Sequence, residues 1–73
     1  MRAVTHDTFG DPVEVLRQSD RPIPQPGPRQ VRLKVILSPV HNHDLSTVRG
    51  QYGYRPELPA IGGSEAVGII DAV

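Results

Sequence analysis

The sequence predicts a mainly β fold with one short helix, and three observations carry that prediction. Val31-Arg32-Leu33-Lys34-Val35 alternates apolar and basic residues with the period of two of a half-buried strand. The 7 Gly and 8 Pro among 73 residues cut the chain into short segments, a share above that of an ordinary domain but below that of disordered low-complexity chains. One stretch, between Asn42 and Gly50, carries the start and stop signals of a helix.

Taken in order, residues 1–6 form a short, partly β-branched strand, and Phe9-Gly10-Asp11-Pro12 supplies a turn. The alternation in Val13-Glu14-Val15 predicts a second strand over 13–18, although Leu16 breaks the period. Arg21-Pro22-Ile23-Pro24-Gln25-Pro26-Gly27-Pro28 lacks a donor at its four prolines and reads as a stiff polyproline connector over the surface. The clearest strand follows over 31–37. Asn42 is then a good N-cap, Asp44 suits the first turn and Arg49 the last, and Gly50 suits the position past the end. This gives a helix over 43–49 whose Leu45 and Val48, three apart, share the buried face. A polar loop over 51–59 leads through residues 60–63 to a last strand over 65–70, with Val67 and Ile69 on one side. That apolar run reaches Val73 with neither turn nor cap, and an unpaired apolar edge is a liability, so a truncated piece of a longer fold is expected.

Composition removes several function classes. Lys+Arg and Asp+Glu balance at 8 each and no basic run occurs, which disfavours nucleic acid as a partner. The apolar stretches fall far short of the roughly 20 residues of a membrane span, and Met1-Arg2 opens no apolar leader, so a soluble cytoplasmic protein is expected. Without Cys there are no disulfide or thiolate staples, and a chain of this size has a thin core. With only Phe9, Tyr52 and Tyr54 as aromatics, any apolar pocket relies on aliphatic side chains.

Two clusters could carry chemistry. His41-Asn42-His43-Asp44 precedes the loop bearing Tyr52 and Tyr54, and Gly62-Gly63-Ser64-Glu65 lies further on. Capping alone accounts for the first, and a tight turn with positive φ for the glycines of the second. His41 and His43, with Asp44 or Glu65, could instead approach a metal site, but a catalytic zinc takes three protein ligands. Gly62-Gly63-x-x-x-x-Gly68 lacks the spacing of a phosphate loop, and β-branched residues follow it instead of a helix. His6 reads as a strand-end residue without a role, Tyr54 as a packing residue, and Arg49 as a complement to the helix dipole.

The succession Phe9-Gly10, Pro24-x-Pro26-Gly27, the strand over 31–37, Asp44-Leu45, Arg49-Gly50-x-Tyr52 and Leu58-Pro59-x-Ile61-x-Gly63-x-Glu65-x-x-Gly68 resembles the N-terminal catalytic domain of medium-chain dehydrogenases/reductases. Within that superfamily, residues 48–65 are most similar to the trans-2-enoyl thioester reductases and their quinone oxidoreductase relatives. The resemblance implies an incomplete GroES-like, partly open β-barrel over residues 1–73, with the α/β Rossmann domain that holds the cofactor absent from this chain. It implies part of an NADPH- or NADH-dependent oxidoreductase that reduces an enoyl thioester or quinone, a small-molecule substrate, and a homodimer when full length. The fragment alone is expected to be inactive.

By the same resemblance, Tyr52 is the catalytic residue: a phenol stays protonated at neutral pH and donates to an enolate-like oxygen as charge develops there. His41 falls near the nicotinamide cleft, and His43 and Glu65 near the substrate. His41 stands where zinc alcohol dehydrogenases of the superfamily have Cys and the enoyl and quinone reductases usually have Asn, and Ser64 stands where the zinc enzymes have His. Zinc is therefore disfavoured; the alternatives are a zinc alcohol dehydrogenase with His41 and Glu65 as altered ligands, or a truncated, non-catalytic binding module.

Overall fold

The computed structural model describes all 73 residues. In chain order the elements are β1 (Arg2–His6), α1 (Pro12–Val15), β2 (Arg17–Asp20), β3 (Arg32–Leu37), α2 (Asn42–Arg49), β4 (Ala60–Ile61) and β5 (Val67–Ala72). Strands hold 32% of the residues and helices 16%, so the fold is mainly β. They form two antiparallel sheets, ordered β2-β1-β4 and β3-β5. Neither sheet closes into a barrel.

The predicted strand over 13–18 is corrected. Residues 12–15 form one helical turn and β2 begins only at Arg17. Asp11 caps that turn, its carboxylate accepting the Val13 N–H at 3.1 Å. Pro12 occupies the first position, where its missing donor costs nothing, and the Glu14 and Val15 amides each bond back to the Asp11 carbonyl at 2.9 Å. Val13 is 90% exposed and Val15 only half-buried, so the alternation that suggested a strand does not mark a buried face. β2 then returns along β1 in a register that runs from Arg2 opposite Asp20 to Thr5 opposite Arg17. Thr5 and Ser19 share a hydroxyl hydrogen bond of 2.9 Å across the pair.

The proline-rich segment forms no strand or helix, as its missing donors require. In the second sheet β3 meets β5 with Val35 opposite Gly68, and Gly68 is where the backbones crowd: a Cβ there would lie 2.9 Å from the Lys34 carbonyl carbon and 3.1 Å from Val35 Cα. β4 docks on the free edge of β1, pairing Thr5 with Ile61 and His6 with Ala60, and the Gly62 N–H extends the contact to the Val4 carbonyl at 2.9 Å.

The core is as thin as the length implies. Only 5 of 73 residues are buried, and they come from β1 (Thr5, His6), α1 (Pro12), α2 (Val48) and β4 (Ala60). Leu45, expected to share the buried face of α2, is half-buried. The neighbours Val35 and Ile36 of β3, and Ile69 and Ile70 of β5, are each more than half exposed. Successive strand residues point to opposite faces, so both faces of the β3-β5 sheet are open. No helix is long and apolar enough to cross a membrane.

Candidate active site

The site is assembled at the N-terminus of α2. Its cap residue is His41, in an extended conformation, and not Asn42, which becomes the first residue of the helix. Asp44 Oδ2 accepts the His41 backbone N–H at 2.9 Å, the acidic half of a capping box, which sets the helix start at His41. At the other end Gly50 takes the left-handed conformation at φ 75° and gives its N–H to the helix carbonyls, as expected of a helix C-terminus.

Asp44 Oδ1 accepts the Ser64 hydroxyl at 2.8 Å, which draws the second cluster onto the first. Ser64 Oγ also lies 2.8 Å from His43 Nε2. Its one proton is committed to the carboxylate, so His43 Nε2 must be the donor in that contact. His41 Nε2 meets Glu65 Oε2 at 3.2 Å, again with the imidazole donating, because a carboxylate only accepts. The Asp44 carboxyl is held below its ordinary value, chiefly by the His41 backbone N–H, then by the Ser64 hydroxyl, with smaller help from the two imidazoles against a small cost of burial. It is the fixed negative charge under the site.

Three rings stand in a column above it. The His41 and His43 imidazoles are 5.0 Å apart and nearly parallel at 13°, and His43 stacks on Tyr52 at 5.6 Å and 29°. Tyr52 rides on the irregular loop after Gly50, which is pinned elsewhere. The Arg55 guanidinium lies 4.4 Å over the Phe9 ring, a cation–π contact, and Phe9 meets the His6 ring edge-on at 5.9 Å. The Gly10 N–H bonds the Val48 carbonyl at 3.0 Å, fixing Phe9 against α2.

The column borders a cavity of about 310 Å³ lined by His6, His43, Asp44, Thr47, Val48, Tyr52, Tyr54, Pro56, Ile61, Gly62, Gly63 and Ser64. Of the residues singled out from sequence, Tyr52 and His43 line it. His41 and Glu65 do not; they pair with each other outside it. The Tyr52 hydroxyl makes no hydrogen bond within the chain and the side chain is half exposed. Tyr54 is the more exposed tyrosine, at the cavity and not packed in a core.

Sequence reasoning missed three participants. Ser64 was weighed as a member of the glycine cluster and a replaced zinc ligand, and Asp44 as a helix residue or metal ligand, yet what they do is join the two clusters. His6 is buried at 2% exposure, hydrogen-bonds the Thr8 carbonyl at 2.9 Å and lines the cavity; its place at the end of an apolar strand was the available signal. His41 and Glu65 come together, but no group of three or more His, Cys, Asp or Glu side chains is arranged to hold a metal ion.

The scaffold is an open pair of antiparallel sheets with a capped helix that presents polar and ring residues to a cleft. Residues 27–73 match the alcohol dehydrogenase GroES-like domain, and the chain belongs to that family, within the medium-chain dehydrogenases/reductases. It is 36% identical over 69 residues to the mitochondrial enoyl-[acyl-carrier-protein] reductase of Xenopus tropicalis, covering 94% of this chain and 20% of that protein. The human enzyme of the same name is 34% identical over 73 residues, 100% of this chain and 20% of that protein. An alcohol dehydrogenase of Rhizobium meliloti is 37% identical over 70 residues, 96% of this chain and 20% of that protein. The chain thus spans about a fifth of the length of the curated relatives it matches.

Proposed function

We propose that this chain is the N-terminal part of the catalytic domain of a nicotinamide-dependent reductase acting on an activated double bond, an enoyl thioester or a quinone, with Tyr52 as the group that holds the developing oxyanion. The observation that carries the reading is the placement of Tyr52: its hydroxyl has no partner within the chain, and the side chain lines a cavity beside His43. A preorganised donor left free is what a transition state that gathers charge on oxygen requires. The names of the relatives, enoyl-[acyl-carrier-protein] reductases above all, support the same substrate class.

A reduced nicotinamide, NADPH or NADH, would supply the hydride when bound, held mainly by residues outside this chain. From this side the half-exposed His41 imidazole at the end of the column fits a flat ring, and it is the residue we assign to face the cofactor. The protein's own part is orientation: His43 and Ser64 fix the wall against which Tyr52 rests, and Val48, Ile61 and Pro56 give the cavity its apolar lining.

The test is Tyr52→Phe in the full-length protein. We expect kcat to fall on the order of 10²-fold, the usual cost of removing one oxyanion donor, while KM changes little. A variant that reduces 2-enoyl thioesters and quinones at the parental rate removes Tyr52 from the mechanism.

A further inference from the structure

We infer that His43 is a positioning residue for the Tyr52 phenol, itself held in plane by Ser64. The inference rests on the reading of Tyr52 as the oxyanion donor and deepens it.

Tyr52 lies on a loop without regular structure, half exposed, with its hydroxyl unbonded. Nothing in the loop's own backbone fixes the ring, yet a donor misplaced by about 1 Å forfeits most of its advantage. The restraint is the stack on His43 at 5.6 Å. His43 is in turn fixed three ways: its backbone is in the first turn of α2, its far face stacks on His41 at 5.0 Å, and its Nε2–H donates to Ser64 Oγ at 2.8 Å. Ser64 is anchored by Asp44 Oδ1, and Asp44 by the backbone N–H of His41. The restraints close on themselves, from His41 backbone through Asp44 and Ser64 to His43 and back to the His41 ring. Sequence resemblance placed His43 at the substrate. Its Nε2 is already committed to Ser64, and one face of the ring is stacked on Tyr52, so the contact it makes with the phenol is a packing contact.

Three variants of the full-length protein separate orientation from direct contact. His43→Ala removes the ring, and kcat should fall about ten-fold while KM stays within about two-fold. His43→Phe restores a flat ring without the nitrogen and should recover most of the lost kcat. Ser64→Ala cuts the tether and should lower kcat to a level between the parent and His43→Ala. The signature independent of turnover is in proton NMR: nuclear Overhauser contacts between the His43 and Tyr52 rings, with an upfield ring-current shift of the Tyr52 protons, present in the parent and weakened in Ser64→Ala. The proposal is overturned by a His43→Phe no faster than His43→Ala, or by a Ser64→Ala with parental kcat and undiminished ring contacts. A Tyr52→Phe with parental turnover overturns the donor reading and any kinetic role of His43 with it. A slow Tyr52→Phe beside an unaffected Ser64→Ala overturns the positioning alone.

Discussion

Replacing Asp44 by Ala should cost this protein about 2 kcal/mol at neutral pH, and the deficit should shrink in acid. The substitution deletes two accepted hydrogen bonds, from the His41 backbone N–H at 2.9 Å and from the Ser64 hydroxyl at 2.8 Å. The Asp44 side chain is only 10% exposed, although its bond to Ser64 lies at the surface. Losing a helix cap costs about 0.5–2 kcal/mol, and a bond to a charged group contributes about 1.5–3 kcal/mol. His43 and Glu65 beside it are well exposed, which holds the sum near the lower end. Because the folded-state pKa lies below the 3.8 of the free carboxyl, chiefly through the His41 N–H, the unfolded chain takes up the proton first as pH falls. The contribution is therefore complete above pH 3.8 and is lost as pH drops through the lower folded-state value. Urea unfolding followed by far-UV circular dichroism, at pH 7 and again near pH 2, gives the two gaps between parent and variant. Equal midpoints at pH 7, or a gap of undiminished size in acid, would refute the account of Asp44 as an ionised tether.

Two further substitutions probe the scaffold. Gly68→Ala sets a methyl against the Lys34 backbone, with the Lys34 carbonyl carbon 2.9 Å away; the strands must part, ladder bonds worth about 1 kcal/mol each are strained or lost, and amide hydrogen exchange over β3 and β5 should accelerate together. Gly50→Ala forces a side chain into φ 75° and within 3.1 Å of the Phe9 ring, at a cost of about 1–2 kcal/mol, so its Tm should fall by several degrees.

The sequence displayed its local rules well and its long-range ones hardly at all. β3 and α2 were legible because each is written in its own residues, alternation for the first and capping chemistry for the second. Residues 12–15 were misread because Val-Glu-Val satisfies a strand's period by chance, while the deciding signal, an Asp cap before Pro, had been taken for a turn. The cap falls on His41, one residue before Asn42, where the Asp44 carboxylate three residues on accepts the cap residue's own N–H. Family resemblance singled out Tyr52, His41, His43 and Glu65. It did not show that residues 41–44 and 64–65, some twenty positions apart, share hydrogen bonds, nor that β4 pairs with β1. Such pairings are decided by tertiary geometry, and local periodicity carries no record of them.

That geometry makes fold and site hard to separate. The chain leaves one sheet at β4 and joins the other at β5, and residues 62–66, which include Ser64 and Glu65, span the gap. One end of the span is fixed by the Gly62 N–H on the Val4 carbonyl at 2.9 Å. Near the other, the Ser38 hydroxyl donates to the Glu65 carbonyl at 2.8 Å, tying the exit of β3 to the site. With five buried residues in the whole chain, packing alone cannot hold this crossing in place, and polar tethers such as these do much of that work. A disturbance of the β3-β5 pairing therefore has a short path to the stacked rings, from β5 to Glu65 and Ser64 and from there to His41, His43 and Tyr52. On this physical ground Gly68→Ala, outside the cavity lining and set against Lys34 and Val35, should slow turnover as well as loosen the sheet.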